Sequence, residues 1–331
     1  LALYGEAEYD VTKEFLVATA LRFEDYSDFG STFTGKWASR YKLGNSLTLR
    51  GSASSGFRAP SLPQIYFNST FTDFVAGQPV DKVIARNNSA VAKALGIPKL
   101  KEEQATDLSG GFTFENSNFT FSADMYHVII KDRIVLTGAF EDSAALTPLN
   151  VGAAQFFTNA IDTRTTGLDL VVSHTMESGD ERLKTTLAAN FNRMKLSAIH
   201  TNAQLAGQED VYFSSREKRF LIASAPESKM NLTFDYQYQK FNYNLQFVRY
   251  GQVKLENWNG DLDVYKPQIV VNLTGTYNIT DHVALTAGGL NLFNVYPDRK
   301  DPALTESGGL WDSVQMGFGG AFFFSKLTYR F

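Results

Sequence analysis

The stretch GFRAPSLPQIYFNSTFTDF, residues 56–74, places Arg58 close in sequence to Tyr66, Phe67, Phe71 and Phe74. A guanidinium beside aromatic faces suits a molecule that is anionic or carries catecholate rings, since a cation over a ring is worth about 0.5–2 kcal/mol depending on desolvation. These five residues are the candidate ligand-binding set. The competing role for them is structural, anchoring a loop or joining an aromatic girdle. Glu24, Asp25 and Asp28 offer the oxygen ligands that hard cations prefer, but not at the spacing of a calcium-binding loop, and they read as a solvated turn. His127, His174, His200 and His282 form no HExxH and no close pair. No GxxxxGK phosphate loop and no GxSxG elbow occurs. No catalysis, resident cofactor or metal site is therefore expected.

Bulk properties narrow what could carry such a loop. The net charge of −4 over 331 residues argues against general attraction to nucleic acid. The absence of cysteine excludes disulfide scaffolds and thiolate metal sites. No apolar run reaches the roughly 18 residues of a transmembrane helix. The sequence starts at Leu1 already inside an alternating pattern, LALYGEAEYD, with no basic-then-apolar leader. It reads as a piece of a longer chain.

The dominant pattern has period two. In MNLTFDYQYQ, Met230, Leu232, Phe234, Tyr236 and Tyr238 share one face, and Asn231, Thr233, Asp235 and Gln237 the other. FNYNLQF (241–247) and IVVNLTGTY (269–277) repeat it. Successive strand side chains point to opposite faces, so these are two-faced strands. The whole chain divides into about thirteen of them, at 1–10, 14–24, 31–42, 46–56, 103–115, 118–136, 156–174, 182–196, 228–239, 241–253, 265–278, 282–292 and 315–331.

The connections alternate in length. Long ones fall at 57–102, 137–155, 197–227, 254–264 and 293–314, with short turns between them and one moderate link at 25–30. A soluble sandwich or propeller also alternates along its strands, but it has no reason to put short turns at one end and long loops at the other. A membrane barrel does. The apolar faces of the three stretches quoted carry no charge, their opposite faces are rich in amides and hydroxyls, and aromatics crowd strand ends, as girdles do at membrane interfaces. In hydrocarbon every backbone polar group needs a partner, which only helices and closed barrels supply. The fold expected is all-β: an antiparallel transmembrane β-barrel. Within the first long loop, RNNSAVAKALG (86–96) reads as a short helix capped by Asn88 or Ser89 and closed by Gly96.

Three ordered motifs carry a family resemblance. GFRAPSLPQIYF, PKLKEEQATDLSGGF (98–112) and GGLNLFNVYPDRKDP (288–302), with Asn291-Leu292-Phe293-Asn294 at its centre, resemble a TonB-dependent outer-membrane receptor. The last strand alternates through Leu327 and Tyr329 to a terminal Phe331, similar to the assembly signal of outer-membrane barrels. The resemblance implies a barrel of about 22 strands around a plug domain. About nine strands and the plug would then lie outside this sequence. It implies location in the bacterial outer membrane, outer-membrane lipid around the wall, a small-molecule ligand at the external face, and TonB with its inner-membrane energising complex as partners through the missing N-terminal parts. The long loops would be external.

An iron–siderophore or similar chelate is the ligand such a resemblance favours. A carbohydrate or other nutrient receptor, a passive porin and a rim enzyme are the alternatives. Haem-uptake members carry a histidine after the FRAP-like box, and residues 59–102 contain none.

Overall fold

The computed structural model describes the chain apart from residues 28–29, 76–77, 142–145, 150, 202–206, 208, 306–307 and 313–314. Strands β1 (Ala2–Asp10), β2 (Phe15–Tyr26), β3 (Gly30–Leu43) and β4 (Leu47–Arg58) form a meander. The first long loop holds helix α1 (Leu62–Tyr66), a hairpin of β5 (Ser69–Val75) and β6 (Gln78–Ile84), and helix α2 (Ala90–Ala94). Strands β7 (Glu103–Glu115) and β8 (Phe119–Leu136) follow, then two short strands, β9 (Phe140–Glu141) and β10 (Ala153–Gln155), in the second long loop. The longest strands are β11 (Phe157–Ser178) and β12 (Glu181–Ile199). Helices α3 (Glu209–Tyr212) and α4 (Ser215–Ile222) occupy the third loop. The chain continues through β13 (Ser228–Tyr238), β14 (Phe241–Tyr250), a loop hairpin of β15 (Val253–Glu256) and β16 (Leu262–Tyr265), β17 (Gln268–Asn278), β18 (Val283–Leu290) and β19 (Phe322–Tyr329).

Thirteen of these strands make one antiparallel sheet in the order β1-β2-β3-β4-β7-β8-β11-β12-β13-β14-β17-β18-β19. Each strand pairs with the next sheet strand along the chain, so the sheet is a pure meander with β1 and β19 at its edges. It is part of a barrel wall, not a closed barrel. Among the described residues no helix is long and apolar enough to cross a membrane.

The pairing register puts the alternation on two distinct surfaces. One face carries Phe23, Phe33, Trp37, Leu108, Met125, Leu168, Leu187, Phe191, Leu273 and Leu327, all large, apolar and exposed. A sheet that leaves such a face uncovered is matched to lipid. The other face joins polar groups across strands. Arg50 Nε donates to Asp124 Oδ1 at 2.7 Å, Asn190 Nδ2 donates to Tyr126 OH at 3.1 Å and to Asp169 Oδ1 at 2.6 Å, and Asn272 Nδ2 donates to Gln246 Oε1 at 2.8 Å.

The tight turns gather at one end. Gly44 and Gly179 take φ +66° and +58°, and Gln239 takes +50°. The expected strands stand with adjusted ends. The β19 strand starts at Phe322 rather than 315, because Gln315 is held in a loop where its Nε2 donates to Lys266 O at 2.9 Å. Strand β14 stops at Tyr250, and Val253–Glu256 pairs instead with β16. Glu24 is not in a solvated turn: β2 runs on to Tyr26, and buried Glu24 accepts from Arg22 Nη2 at 2.7 Å and Tyr26 OH at 2.9 Å. Asp25 accepts from Ser31 Oγ at 2.7 Å, and Asp28 lies outside the described residues.

Candidate functional site

The largest buried cluster lies at the long-loop end, outside the sheet. Val83 from β6, Ala92 and Leu95 around α2, Phe140 from β9, Ala154 from β10, Phe156, and Tyr212 and Phe213 at α3 pack together with Ala160 and Ile161 of β11. Three loops far apart in sequence thus share one core, and β11 roots it in the wall. Their strands form a second sheet, β5-β6-β10-β9, in which β6 and β10 run parallel. Parallel pairing of such distant segments brings a closure cost that this apolar burial offsets. Inside the core, Thr158 Oγ1 and Tyr212 OH lie 2.8 Å apart, and burial pushes the Tyr212 phenol up from its ordinary pKa.

Local chemistry shapes the loop helices. Ser89 caps α2, its Oγ accepting from Ala92 N at 3.1 Å, and Gly96 closes it at φ +65°, as the sequence indicates. The PSLPQIY segment is a helix and not an irregular loop. Ser61 and Gln64 form a capping box, with Ser61 N donating to Gln64 Oε1 at 3.0 Å. Ser214 and Glu217 repeat it at α4, with Ser214 N donating to Glu217 Oε2 at 3.0 Å. Both boxes were readable from the spacing of a serine and a Gln or Glu three positions later.

The five candidate residues do not form one cluster. Arg58 ends β4 directly opposite Glu103. Its Nε donates to Glu103 Oε2 at 2.8 Å, and its Nη2 also contacts Glu103. Glu103 is 6% exposed and accepts from Ile134 N at 2.7 Å. Arg58 thereby ties β4, β7 and β8 together. Tyr66 is 62% exposed at the end of α1, Phe67 follows it, and Phe71 lies on β5 with Lys82 Nζ 6.0 Å from its ring centroid. Phe74 belongs to β5, and its side chain lies outside the described residues.

Tyr66 does line a cavity of about 200 Å³, together with Pro60, Ile65, Asn87, Asn88, Lys99 and Leu100. Asn87 Nδ2 donates to Pro98 O at 2.6 Å and to Phe157 O at 3.0 Å. Its Oδ1 is buried and has no hydrogen-bond partner among the described residues. An aromatic side chain and an ammonium-bearing one therefore border one recess, with Asn87 held in its wall. Asn87 and Lys99 escaped the sequence reading because only loop closure brings them to Tyr66.

Elsewhere on the long-loop side, Asp132, Asp162 and His200 hold ligand-type atoms within 4.8 Å of one another. Lys101 Nζ pairs with Asp132 Oδ2 at 2.9 Å, His200 Nε2 lies 3.0 Å from Asp162 Oδ1, and Asp132 N donates to the same oxygen at 2.9 Å. These contacts already occupy the carboxylates, and they pin a bulge where Asp132 takes φ +55°.

A family model described as "TonB dependent receptor-like, beta-barrel" matches residues 1–292. The chain belongs to the TonB-dependent receptor family. Such barrels are proteins of the bacterial outer membrane, so the apolar face is lipid-facing and the polar face lines the interior. Among solved structures, the siderophore receptor PirA of Pseudomonas aeruginosa matches at 18% identity and TM-score 0.62, over 100% of this chain and 48% of its own. A variant of the ferric enterobactin receptor PfeA of Pseudomonas aeruginosa matches at 16% identity and TM-score 0.70, over 100% and 44%. The copper transporter OprC matches at 18% and 0.62, over 100% and 48%. At these identities the likeness is one of fold. The chain spans about half the length of the structures it matches. No curated protein sequence matches it.

Proposed function

We propose that this chain supplies part of the wall and the external loops of an outer-membrane uptake receptor energised through TonB, with an iron–siderophore or similar anionic chelate as ligand. The observation that carries the reading is the recess of Tyr66, Lys99 and Asn87 held in a packed cap. Ring stacking and one positive charge match a ligand with anionic catecholate or hydroxamate groups around a metal. The rigid core beneath presents the recess ready-formed, which lowers the ordering cost of binding. The structures named above for siderophores and copper agree in kind. The role is binding and transport rather than catalysis.

The test uses iron-starved cells producing the protein, with uptake of labelled ferric catecholate followed with and without TonB. Uptake is expected to need TonB. Tyr66→Ala with Lys99→Gln is expected to weaken chelate binding at least tenfold, about 1.4 kcal/mol. Unchanged binding in that variant overturns the recess as the site. Accumulation of a neutral glycan and no chelate transfers the assignment to a carbohydrate receptor.

A further inference from the structure

The lipid-facing surface changes character abruptly on three neighbouring strands. On β8 it runs Phe121, Ala123, Met125, His127, Ile129 and then Lys131; on β11, Val172, Leu170, Leu168, Thr166 and then Arg164; on β12, Leu187, Ala189, Phe191 and then Arg193 and Lys195. All four cations are exposed. Arg164 pairs directly with Lys195, and Arg193 with Thr166. Directly opposed side chains on one face have Cβ atoms about 5 Å apart, and like charges there are destabilising. On β7 the lipid-facing partner of Lys131 is the uncharged Gln104, and β13 begins at Ser228, opposite Phe191, so it ends below the level of Arg193 and Lys195.

None of the four cations makes an ion pair among the described residues. Of the nearby carboxylates, Glu102 accepts from Gln104 Nε2, and Asp162 accepts from Asp132 N, lies 3.0 Å from His200 Nε2 and feels the charge of Lys131, which leaves Arg164, Arg193 and Lys195 as the least balanced of the four. Height settles what could balance them. Arg164 is four residues beyond Leu168, which at a rise of about 3.3 Å and a tilt of about 40° is roughly 10 Å higher along the barrel. Arg193 is two residues beyond Phe191. The cluster therefore starts where the apolar band stops, at headgroup level on the long-loop side, beyond which lies no hydrocarbon.

We propose that Lys131, Arg164, Arg193 and Lys195 form a docking site for a phosphate-bearing lipid of the outer leaflet. Its acyl chains lie along Met125, Leu168 and Phe191, and its phosphate offsets the Arg164–Lys195 repulsion. Arginine pairs of this kind grip phosphate oxygens bidentately. The Thr166 hydroxyl and His127 Nδ1, 2.8 Å apart, are the polar groups next below the cations.

The experiment takes the protein extracted from outer membranes in mild detergent and measures lipid phosphorus retained after exhaustive delipidation. It then reads the melting shift on adding back a phosphate-bearing lipid, a neutral lipid with the same chains, or inorganic phosphate alone. Expected are retained phosphorylated lipid, a melting increase with that lipid only, and at least a fivefold loss of retained phosphorus in R164Q/R193Q/K195Q. The interior-facing pair R40Q/K42Q should retain lipid as the parent does. Should the triple variant fail to fold, raising salt on the parent protein gives the same answer, since release must follow ionic strength. Equal retention in the triple variant, salt-independent retention, or an equal response to inorganic phosphate each overturns the proposal.

Discussion

Tyr126 lies against Gly167 across the β8–β11 ladder. A Cβ on Gly167 would stand 2.7 Å from Tyr126 Cε1 and closer still to Cζ and the hydroxyl. The two residues are cross-strand partners on the interior face. A strand glycine there lets the ring fold down, and the hydroxyl then accepts from Asn190 on β12. The ring covers backbone that a side chain would otherwise protect.

Gly167→Ala should accordingly force Tyr126 off this position and break its bond to Asn190. Overpacking of this sort costs about 1–3 kcal/mol. The expected outcome is a lower melting temperature with the wall still folded, and Tyr126→Ala in the same background should recover part of it. Heat-modified gel migration and thermal melting measure both.

The cap should come apart before the wall. Phe156 is completely buried in the loop core and Phe140 nearly so, with ring centroids 6.3 Å apart. Phe156→Ala removes a large buried side chain from a site worth about 3–5 kcal/mol. Loss of the shared core should release residues 57–102 to protease while the wall strands stay protected. Chelate affinity should fall with it, because Asn87 is tied to Phe157 O beside that core. Hydrogen exchange resolved by peptide would separate the two outcomes; uniform loss of protection in wall and cap would refute an independent cap.

The wall was legible because its information is local. Period-two alternation, as in Met230 to Tyr238, needs only one strand to be read, and turn residues such as Gly179 mark where pairing reverses. The resemblance at GFRAPSLPQIYF and NLFN pointed to the family by the same kind of short-range evidence. The cap was hidden for the opposite reason. The β6–β10 pairing joins Lys82 to Ala153 and Ile84 to Gln155, and neither β9 nor β10 is long enough to show a period. Arg58 was readable as a conspicuous cation, but not as the partner of Glu103, which lies across a whole loop. Tyr66 was singled out as a candidate for ligand binding, and the structure places it in the wall of the recess, whereas Lys99 and Asn87 depend on the same long closure.

The Arg58–Glu103 pair separates a structural from a ligand-binding role for Arg58. Arg58→Ala leaves buried Glu103 with Ile134 N as its hydrogen-bond donor and Arg133 as the nearby charge. Full burial of both partners would make that loss about 3–5 kcal/mol. The Arg58 side chain is 50% exposed, so solvent screening reduces it to about 1–2 kcal/mol. Arg58→Lys should restore charge but not the paired contact. If Arg58 is structural, melting falls in both variants and chelate affinity changes less than threefold. An affinity loss without a melting change would return Arg58 to the ligand site.

Tyr212 gives the cap a distinct alkaline weakness. Its phenol sits above the ordinary value because burial disfavours the charged form, the hydrogen bond with Thr158 acting in the opposite direction. An acid whose folded pKa is raised binds its proton more tightly when folded. The resulting stability is therefore fully present below the unfolded value of about 10 and is lost as pH climbs through the folded one. Cap opening should steepen above about pH 10 while the wall, which lacks this group, does not follow. Tyr212→Phe should flatten that dependence. It should also lower cap stability at neutral pH by about 1–3 kcal/mol, since Thr158 loses its buried partner. Loop cleavage rates of parent and variant, compared at each pH so that the protease's own response cancels, decide it. Parallel curves for the two would show that Tyr212 ionisation does not control opening.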